Sequence, residues 1–123
     1  YCADNQELFD TVLTAFRLAE DAAVMMPVMV CMEGFILSHT VAQIRVPDQA
    51  QVDAFLPPFH PVQKLDPDDP VTIGAMVGPE AFTEVRYLAH LKQQRAVEVV
   101  ERVGREFAEA FGRDWLEIDD VVA

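Results

Sequence analysis

Apolar residues recur every three or four positions in two stretches of this chain, and between them lies a short run with no polar residue at all. Leu8, Val12, Phe16, Ala19 and Ala23 fall on one face at helical spacing, and Phe9 and Leu13 widen it. Asp4 is a capping residue, and Glu7 three positions later completes a capping box. The spacing predicts a helix over residues 5–23. Met25-Met26-Pro27 breaks it. Residues 28–32 are apolar at every position, which suits a strand buried on both faces, as in parallel sheets covered by helices. Helix, break and buried strand make half of a βαβ unit.

The rest of the pattern is looser. Residues 41–46 alternate enough for a short edge strand. Pro47-Asp48 opens a short helix carrying Val52, Phe55 and Leu56, and Pro57-Pro58 ends it. Residues 59–70 read as a loop dense in proline and aspartate, a length that suggests a functional or interface segment. Residues 71–77 read as extended. Gly78-Pro79 begins a second helical region, in which Phe82, Val85, Leu88, Ala96, Val100, Val103, Phe107 and Phe111 keep helical spacing. The spacing gaps near Lys92–Arg95, so this region is one long helix or two joined near Gln93. Gly104 costs such a helix about 1 kcal/mol relative to alanine, and Gly112 is a natural C-cap. The fold class expected is α/β.

Composition narrows the function classes. At 123 residues the chain is one domain or less, and with 51% apolar residues it can form a core. A formal charge of -12 argues against a nucleic-acid or anionic-membrane surface, both of which need clustered Lys and Arg. Cys2 and Cys31 are the only cysteines. They are too few for a zinc or iron–sulfur site and are expected as free thiols in a reducing, cytoplasmic compartment. No apolar run nears the roughly 20 residues that span a bilayer. The chain starts at Tyr1 almost inside a helix and stops at Val121-Val122-Ala123 without a polar tail, as expected of a processed chain or a piece of something longer.

Glu33-Gly34-Phe35 is the leading site candidate. In open parallel sheets, ligands bind beyond the carboxyl ends of strands. Glu33 stands at such an end, and Gly34 lets the backbone turn or approach a ligand closely. The plainer reading is that Glu33 caps a neighbouring element and Gly34 only turns the chain. Ser38-His39 would hydrogen-bond a ligand, cross a subunit interface, or satisfy the fold. Neighbours in sequence are not a hydrolase signature, and there is no Gly-x-Ser-x-Gly elbow. Asp66-Pro67-Asp68-Asp69-Pro70 lacks the glycine turn and distal glutamate of a calcium loop, so it reads as a solvated acidic loop. His39, His60 and His90 lack metal-ligand spacing, and no glycine-rich phosphate loop is present. Met25, Met26, Met29 and Met32 read as core filling.

The order of segments resembles the α subunit of 2-oxoacid:ferredoxin oxidoreductases of the pyruvate:ferredoxin oxidoreductase type. Asn5-Gln6-Glu7 opens a helix as the family's Gln-Glu segment does. Pro27-Val28-Met29-Val30 leads into Glu33-Gly34-Phe35-Ile36-Leu37-Ser38-His39, similar to the family's Asp-Gly-Phe…Ser-His stretch. Pro47-Asp48-Gln49, Phe55-Leu56-Pro57-Pro58, Leu65-Asp66-Pro67, Pro70-Val71-Thr72, Glu84-Val85-Arg86-Tyr87 and Phe111-Gly112-Arg113 follow in order. One departure is visible: Glu33 stands where aspartate is expected.

The resemblance implies the second half of a thiamin diphosphate-binding, pyrimidine-type domain over residues 1–113. Its fold would be a parallel sheet covered by helices with a long C-terminal helix. Residues 114–123 would lead as a linker toward a following domain. It implies oxidative decarboxylation of a 2-oxoacid, with pyruvate first and phenylglyoxylate or branched-chain 2-oxoacids as alternatives. The acyl group would pass to coenzyme A and electrons through iron–sulfur clusters to ferredoxin, in anaerobic metabolism. Thiamin diphosphate and Mg2+ belong to the full enzyme, the clusters lie on other domains or subunits of an oligomer, and no cofactor is bound by this chain alone. No catalytic residue and no metal ligand is expected in this segment. Glu33, Gly34, Phe35, Ser38 and His39 are the candidates near a site or interface, and the isolated chain is expected to be inactive. A non-catalytic helical interaction module is the alternative from another class.

Overall fold

The computed structural model describes residues 1–74 and 76–113. Among them are four helices, α1 (Asn5–Ala19), α2 (Ile36–His39), α3 (Gln49–Phe55) and α4 (Pro79–Phe111), and no strand. The expected linker over residues 114–123 lies outside the described residues.

α1 begins as its sequence dictates. The Asp4 carboxylate accepts the Glu7 N–H at 2.8 Å, and the Glu7 carboxylate reaches back to the Ala3 N–H at 2.5 Å. The first takes up a backbone donor that a helix start leaves without a partner, whereas Glu7 bonds Ala3, one residue before the cap, rather than Asp4 as a capping box requires. The helix ends four residues short of the expected Ala23. Asp21 turns the chain there: its side chain accepts the Ala23 N–H at 2.9 Å, and its carbonyl accepts from both Val24 and Met25. Met25 then takes a left-handed φ of 44°.

Two sides of α1 do different work. The part of the apolar stripe formed by Val12 and Phe16 does not face the helical core, whereas Leu13 and Leu18 pack against it. Val12 and Phe16 are 40% and 55% exposed, and with Ala15 and Ala19 they line an open groove against Val28 and Val30. The side that meets α4 carries Asp10, Thr14 and Arg17, with Asp21 just beyond the helix. Thr14 is fully buried, its hydroxyl donating to the Asp10 carbonyl at 3.0 Å. Ion pairs join this side to α4 and to Arg113, two residues beyond it: Asp10 to Arg113 (2.7 Å), Arg17 to Glu106 (3.0 Å) and Asp21 to Arg102 (2.6 Å).

α4 is one unbroken helix of 33 residues running through Gln93. Gly78 caps its start ahead of Pro79, and Gly112 ends it in the left-handed region at φ 64°. Val99, Val103 and Phe107 form the buried core with Phe55 of α3 and Val24. The Phe55 ring meets Phe107 edge-on at 5.7 Å and Phe111 at 5.3 Å. α3 is stopped by Pro57-Pro58 as expected, and Gln51 ties it to α4 by donating to the Ala110 carbonyl at 3.4 Å.

The expected strands are not formed among the described residues. Residues 28–32 form no regular element and are not buried on both faces, Met29 being 86% exposed. A strand needs a ladder, and the backbone bond from this end of the run is a single one, Cys2 N–H to the Cys31 carbonyl at 2.9 Å. Residues 41–46 form no edge strand either. The Arg45 backbone is bonded on both sides by the Gln6 amide, at 2.6 and 3.3 Å, which replaces a strand neighbour by a side chain. Residues 59–70 have no regular structure, as expected, and Ile73-Gly74 makes a turn in the stretch expected to be extended. Ala75 of that stretch lies outside the described residues.

Removing one partner from the nearly buried Asp10–Arg113 pair leaves the other charge unmatched. Asp10→Ala is expected to cost about 3 kcal/mol and Arg113→Ala a similar amount, read from urea unfolding at neutral pH. Asp21 supplies a pH signature. Burial pushes its carboxyl up, but the Arg102 hydrogen bond, the Ala23 N–H and the charges of Arg102 and Arg17 outweigh that and leave it below the usual 3.8. A depressed carboxyl stabilises the fold above its unfolded pKa, and that contribution is lost as pH falls through the folded value. Arg102→Met is therefore expected to move the acid-unfolding midpoint to higher pH, followed by circular dichroism.

Candidate functional site

Residues 33–40 gather the candidates into one short turn at the N-terminal end of α1. Asn5 of α1 pins it by donating to the Thr40 carbonyl at 3.3 Å. Glu33 folds back over α2: one carboxylate oxygen accepts the Phe35 N–H at 2.8 Å, and the other accepts the N–H groups of Ile36 and of Leu37, the latter at 3.2 Å. Three donors of a short helix start are thus taken up by one side chain. This is the capping arrangement, and it uses the carboxylate that a ligand would need. A shorter aspartate side chain at this position would have less reach toward Leu37.

Gly34 is not called for by backbone strain or crowding, since nothing lies within 4 Å of where a Cβ would stand and its φ is not positive. Ser38 Oγ lies 2.8 Å from His39 Nδ1, and the same nitrogen lies 3.1 Å from the Phe35 carbonyl. The two contacts depend on tautomer. A protonated Nδ1 donates to the carbonyl, and a bare Nδ1 accepts the Ser38 hydroxyl. The Phe35 and His39 rings sit 5.6 Å apart. Phe35 is 72% exposed and Ile36 64%, so the turn offers solvent an apolar surface while its polar groups serve its own backbone. A shallow cavity of about 160 Å³ lies between this turn and the start of α1, lined by Asn5, Ile36, Leu37 and Thr40 among others.

The residues that position this turn were not singled out by sequence reasoning. Asn5 and Gln6 hold the main chain of Thr40 and Arg45 against α1. Their signal was slight: two amides in a helix's first turn, where side chains ordinarily face water.

The other polar groups stay apart. Among the described residues no cluster of three His, Cys, Asp or Glu side chains is placed to hold a metal ion. In the acidic loop, Asp66 accepts the Asp68 N–H at 3.0 Å and pairs with Lys64 at 3.4 Å. His90 bonds Gln94 and His60 lines a separate cavity of about 200 Å³ beside Arg17 and Asp21. Both cysteines are free thiols. No helix among the described residues is long and apolar enough to cross a membrane.

The described residues thus form a helical scaffold with a capped turn at one end of α1. Residues 1–105 match the pyruvate flavodoxin/ferredoxin oxidoreductase, thiamine diP-binding family, and the chain belongs to it. It is 44% identical over 115 residues to the pyruvate synthase subunit PorA of Methanothermobacter thermautotrophicus, covering 94% of this chain and 30% of that one. The PorA subunit of Methanosarcina barkeri is 44% identical over 113 residues, covering 92% and 28%. The ketoisovalerate oxidoreductase subunit VorA of Pyrococcus abyssi is 43% identical over 119 residues, covering 96% and 30%. The chain thus spans about 30% of the length of these relatives.

The described residues do not fit a thiamin diphosphate site by themselves. Glu33 is occupied by backbone donors, and no acidic cluster is formed for the metal that would accompany a diphosphate.

Losing a helix-start cap of this kind costs about 1 kcal/mol. Glu33→Ala is expected to release the amides of Phe35, Ile36 and Leu37, seen as faster hydrogen exchange there with α1 and α4 unchanged. Glu33→Gln, which keeps an acceptor, should show a smaller effect.

Proposed function

We propose that this chain is a segment of the α subunit of a 2-oxoacid:ferredoxin oxidoreductase, with pyruvate as substrate. The observation that carries the reading is the family match over residues 1–105 together with 44% identity to pyruvate synthase subunits. In this reading the full enzyme holds thiamin diphosphate with Mg2+, decarboxylates the 2-oxoacid, passes the acyl group to coenzyme A, and sends electrons through iron–sulfur clusters on other domains or subunits to ferredoxin. Such an enzyme works in the cytoplasm of an anaerobically metabolising cell. The cofactors carry the chemistry, and this segment contributes framework.

The framework is the second half of the pyrimidine-type domain, over residues 1–113. Its sheet is the finer part of the proposal. Residues 28–32 would be a strand of a parallel sheet, and the stretch around Cys2 its neighbour, with α1 as the crossover between them. Support comes from the Cys2–Cys31 backbone bond, from the unbroken apolar run, and from the apolar stripe of α1 facing Val28 and Val30. Glu33, Gly34, Phe35, Ser38 and His39 would then stand at the carboxyl end of that strand. There Phe35 and Ile36 would supply an apolar wall at a subunit or cofactor boundary.

A branched-chain 2-oxoacid is the second reading, favoured by the 43% identity to a ketoisovalerate oxidoreductase subunit. The test is ferredoxin reduction by the complete subunit assembled with its partners. Pyruvate is expected to exceed 2-ketoisovalerate in kcat/KM by at least about tenfold, within what one or two methylenes decide. The opposite order would establish the second reading. Failure of every 2-oxoacid would overturn both, and turnover by the isolated 123-residue chain would overturn the framework role.

A further inference from the structure

Gln6 stands in the first turn of α1, and both polar atoms of its side chain are engaged. Its Oε1 accepts the Arg45 N–H at 2.6 Å. Its Nε2 donates to the Arg45 carbonyl at 3.3 Å and to Asp10 Oδ1 at 3.1 Å. An ionised carboxylate only accepts, so Asp10 fixes which way round the Gln6 amide lies. Turned over, Oε1 would face the Asp10 carboxylate and the Arg45 carbonyl, and the Arg45 N–H would face another donor. Asp10 is held in its turn by two N–H groups of Arg113. A continuous run of hydrogen bonds therefore leads from Arg113, through the buried Asp10, to the main chain of Arg45. Residues 40–48 form no regular element, and they leave directly from the turn that carries Glu33, Phe35, Ser38 and His39. Asn5 adds a second tie to α1, at the Thr40 carbonyl.

We propose that Gln6 is a positioning residue for the wall made by residues 33–40, passing the fixed place of the Asp10–Arg113 pair to the chain that leaves the turn. That the turn forms such a wall rests on the function proposed above; the relay stands on the hydrogen bonds alone. Glu33 sets the shape of the turn from within, by taking up the amides of Phe35, Ile36 and Leu37. Gln6 and Asn5 set where that shape stands relative to α1. An irregular segment held by a few side-chain bonds opens locally when they are lost, without unfolding the helices beside it. A displacement of about 1 Å in a wall is enough to slow a positioned reaction.

The test is amide hydrogen exchange in the complete subunit assembled with its partners. Gln6→Met keeps the length of the side chain and removes all three bonds. Exchange at Arg45 is expected to quicken by at least about tenfold, and at His39 and Thr40 by at least about threefold, with Val99 and Val103 of α4 unchanged. Gln6→Glu, at about pH 8 where both carboxylates are ionised, sets a second negative charge beside Asp10 and should open the segment likewise. Adding Asp10→Asn to Gln6→Glu restores a donor facing an acceptor between the two positions, with the polarity reversed. Exchange at Arg45 is then expected to return to within about threefold of the parent, a rescue that a side chain merely filling space would not show. If the paired variant also quickens exchange at Val103, Gln6→Met, which leaves Asp10 and Arg113 whole, decides by itself. In the same assembly Gln6→Met should lower kcat/KM for ferredoxin reduction by pyruvate by at least about threefold. Unchanged exchange at Arg45 overturns the relay, as does a paired variant that shows no rescue while Val103 stays as in the parent. Faster exchange with unchanged turnover overturns the positioning role. A parent assembly that turns over no 2-oxoacid overturns the proposed function, and the wall with it, while exchange still decides the relay.

Discussion

Asp10 is 5% exposed, in the middle of a helix whose neighbours in sequence are largely apolar. A carboxylate removed from water is costly unless it is matched and hydrogen-bonded. Arg113 matches it with two N–H groups, at 2.7 and 3.0 Å, and Gln6 adds a third donor at 3.1 Å. The guanidinium also lies over Phe107 at 5.7 Å and Phe111 at 5.8 Å, so the pair is seated on the aromatic cluster. The chain can deliver Arg113 to this place because Gly112 takes the left-handed conformation that ends α4, an option most side chains resist. One pair thereby fixes where α4 stops against α1.

That register decides what the rest of the chain can do. With Asp10, Arg17 and Asp21 committed to α4 and its C-terminal flank, the packed side of α1 joins these charges to Leu13 and Leu18, and fully buried Thr14 presents only a small surface between the helices. Val12 and Phe16 of the apolar stripe then turn the other way, toward Val28 and Val30. α1 is therefore a middle layer, with charge matching on one side and a greasy groove on the other. Helices that cover a sheet and are themselves covered have this two-sided character. It explains why α1 has an amphipathic sequence without an amphipathic environment in the described residues.

The caps and stops of the fold were readable because each depends on two or three adjacent residues. Asp4, Pro57-Pro58, Gly78-Pro79 and Gly112 all act where their chemistry places them. Helix continuity through Lys92–Arg95 was not readable, since a polar stretch interrupts the spacing and leaves the backbone undisturbed. Which side of α1 meets α4 was not readable, for a physical reason. Periodicity reports which side is apolar, and the core lies on the side where distant charges happen to find partners, up to 103 residues apart. Residues 28–32 were legible as a strand by composition, yet a strand is a relation between segments. The described residues carry only the Cys2–Cys31 bond of such a relation.

At the candidate turn the sequence left the roles of the residues open between two readings. Glu33 illustrates why. A carboxylate after an apolar run suits a ligand site and a helix cap equally, because both require donors converging on an acceptor. The extra methylene that separates it from the aspartate expected there gives the reach for Phe35, Ile36 and Leu37 together. Once the acceptor is taken up by the backbone, what the turn has left to offer is the exposed surface of Phe35 and Ile36, held in place by that same carboxylate. The charge thereby sets the shape of an apolar edge, because the nearest donors are those of its own chain.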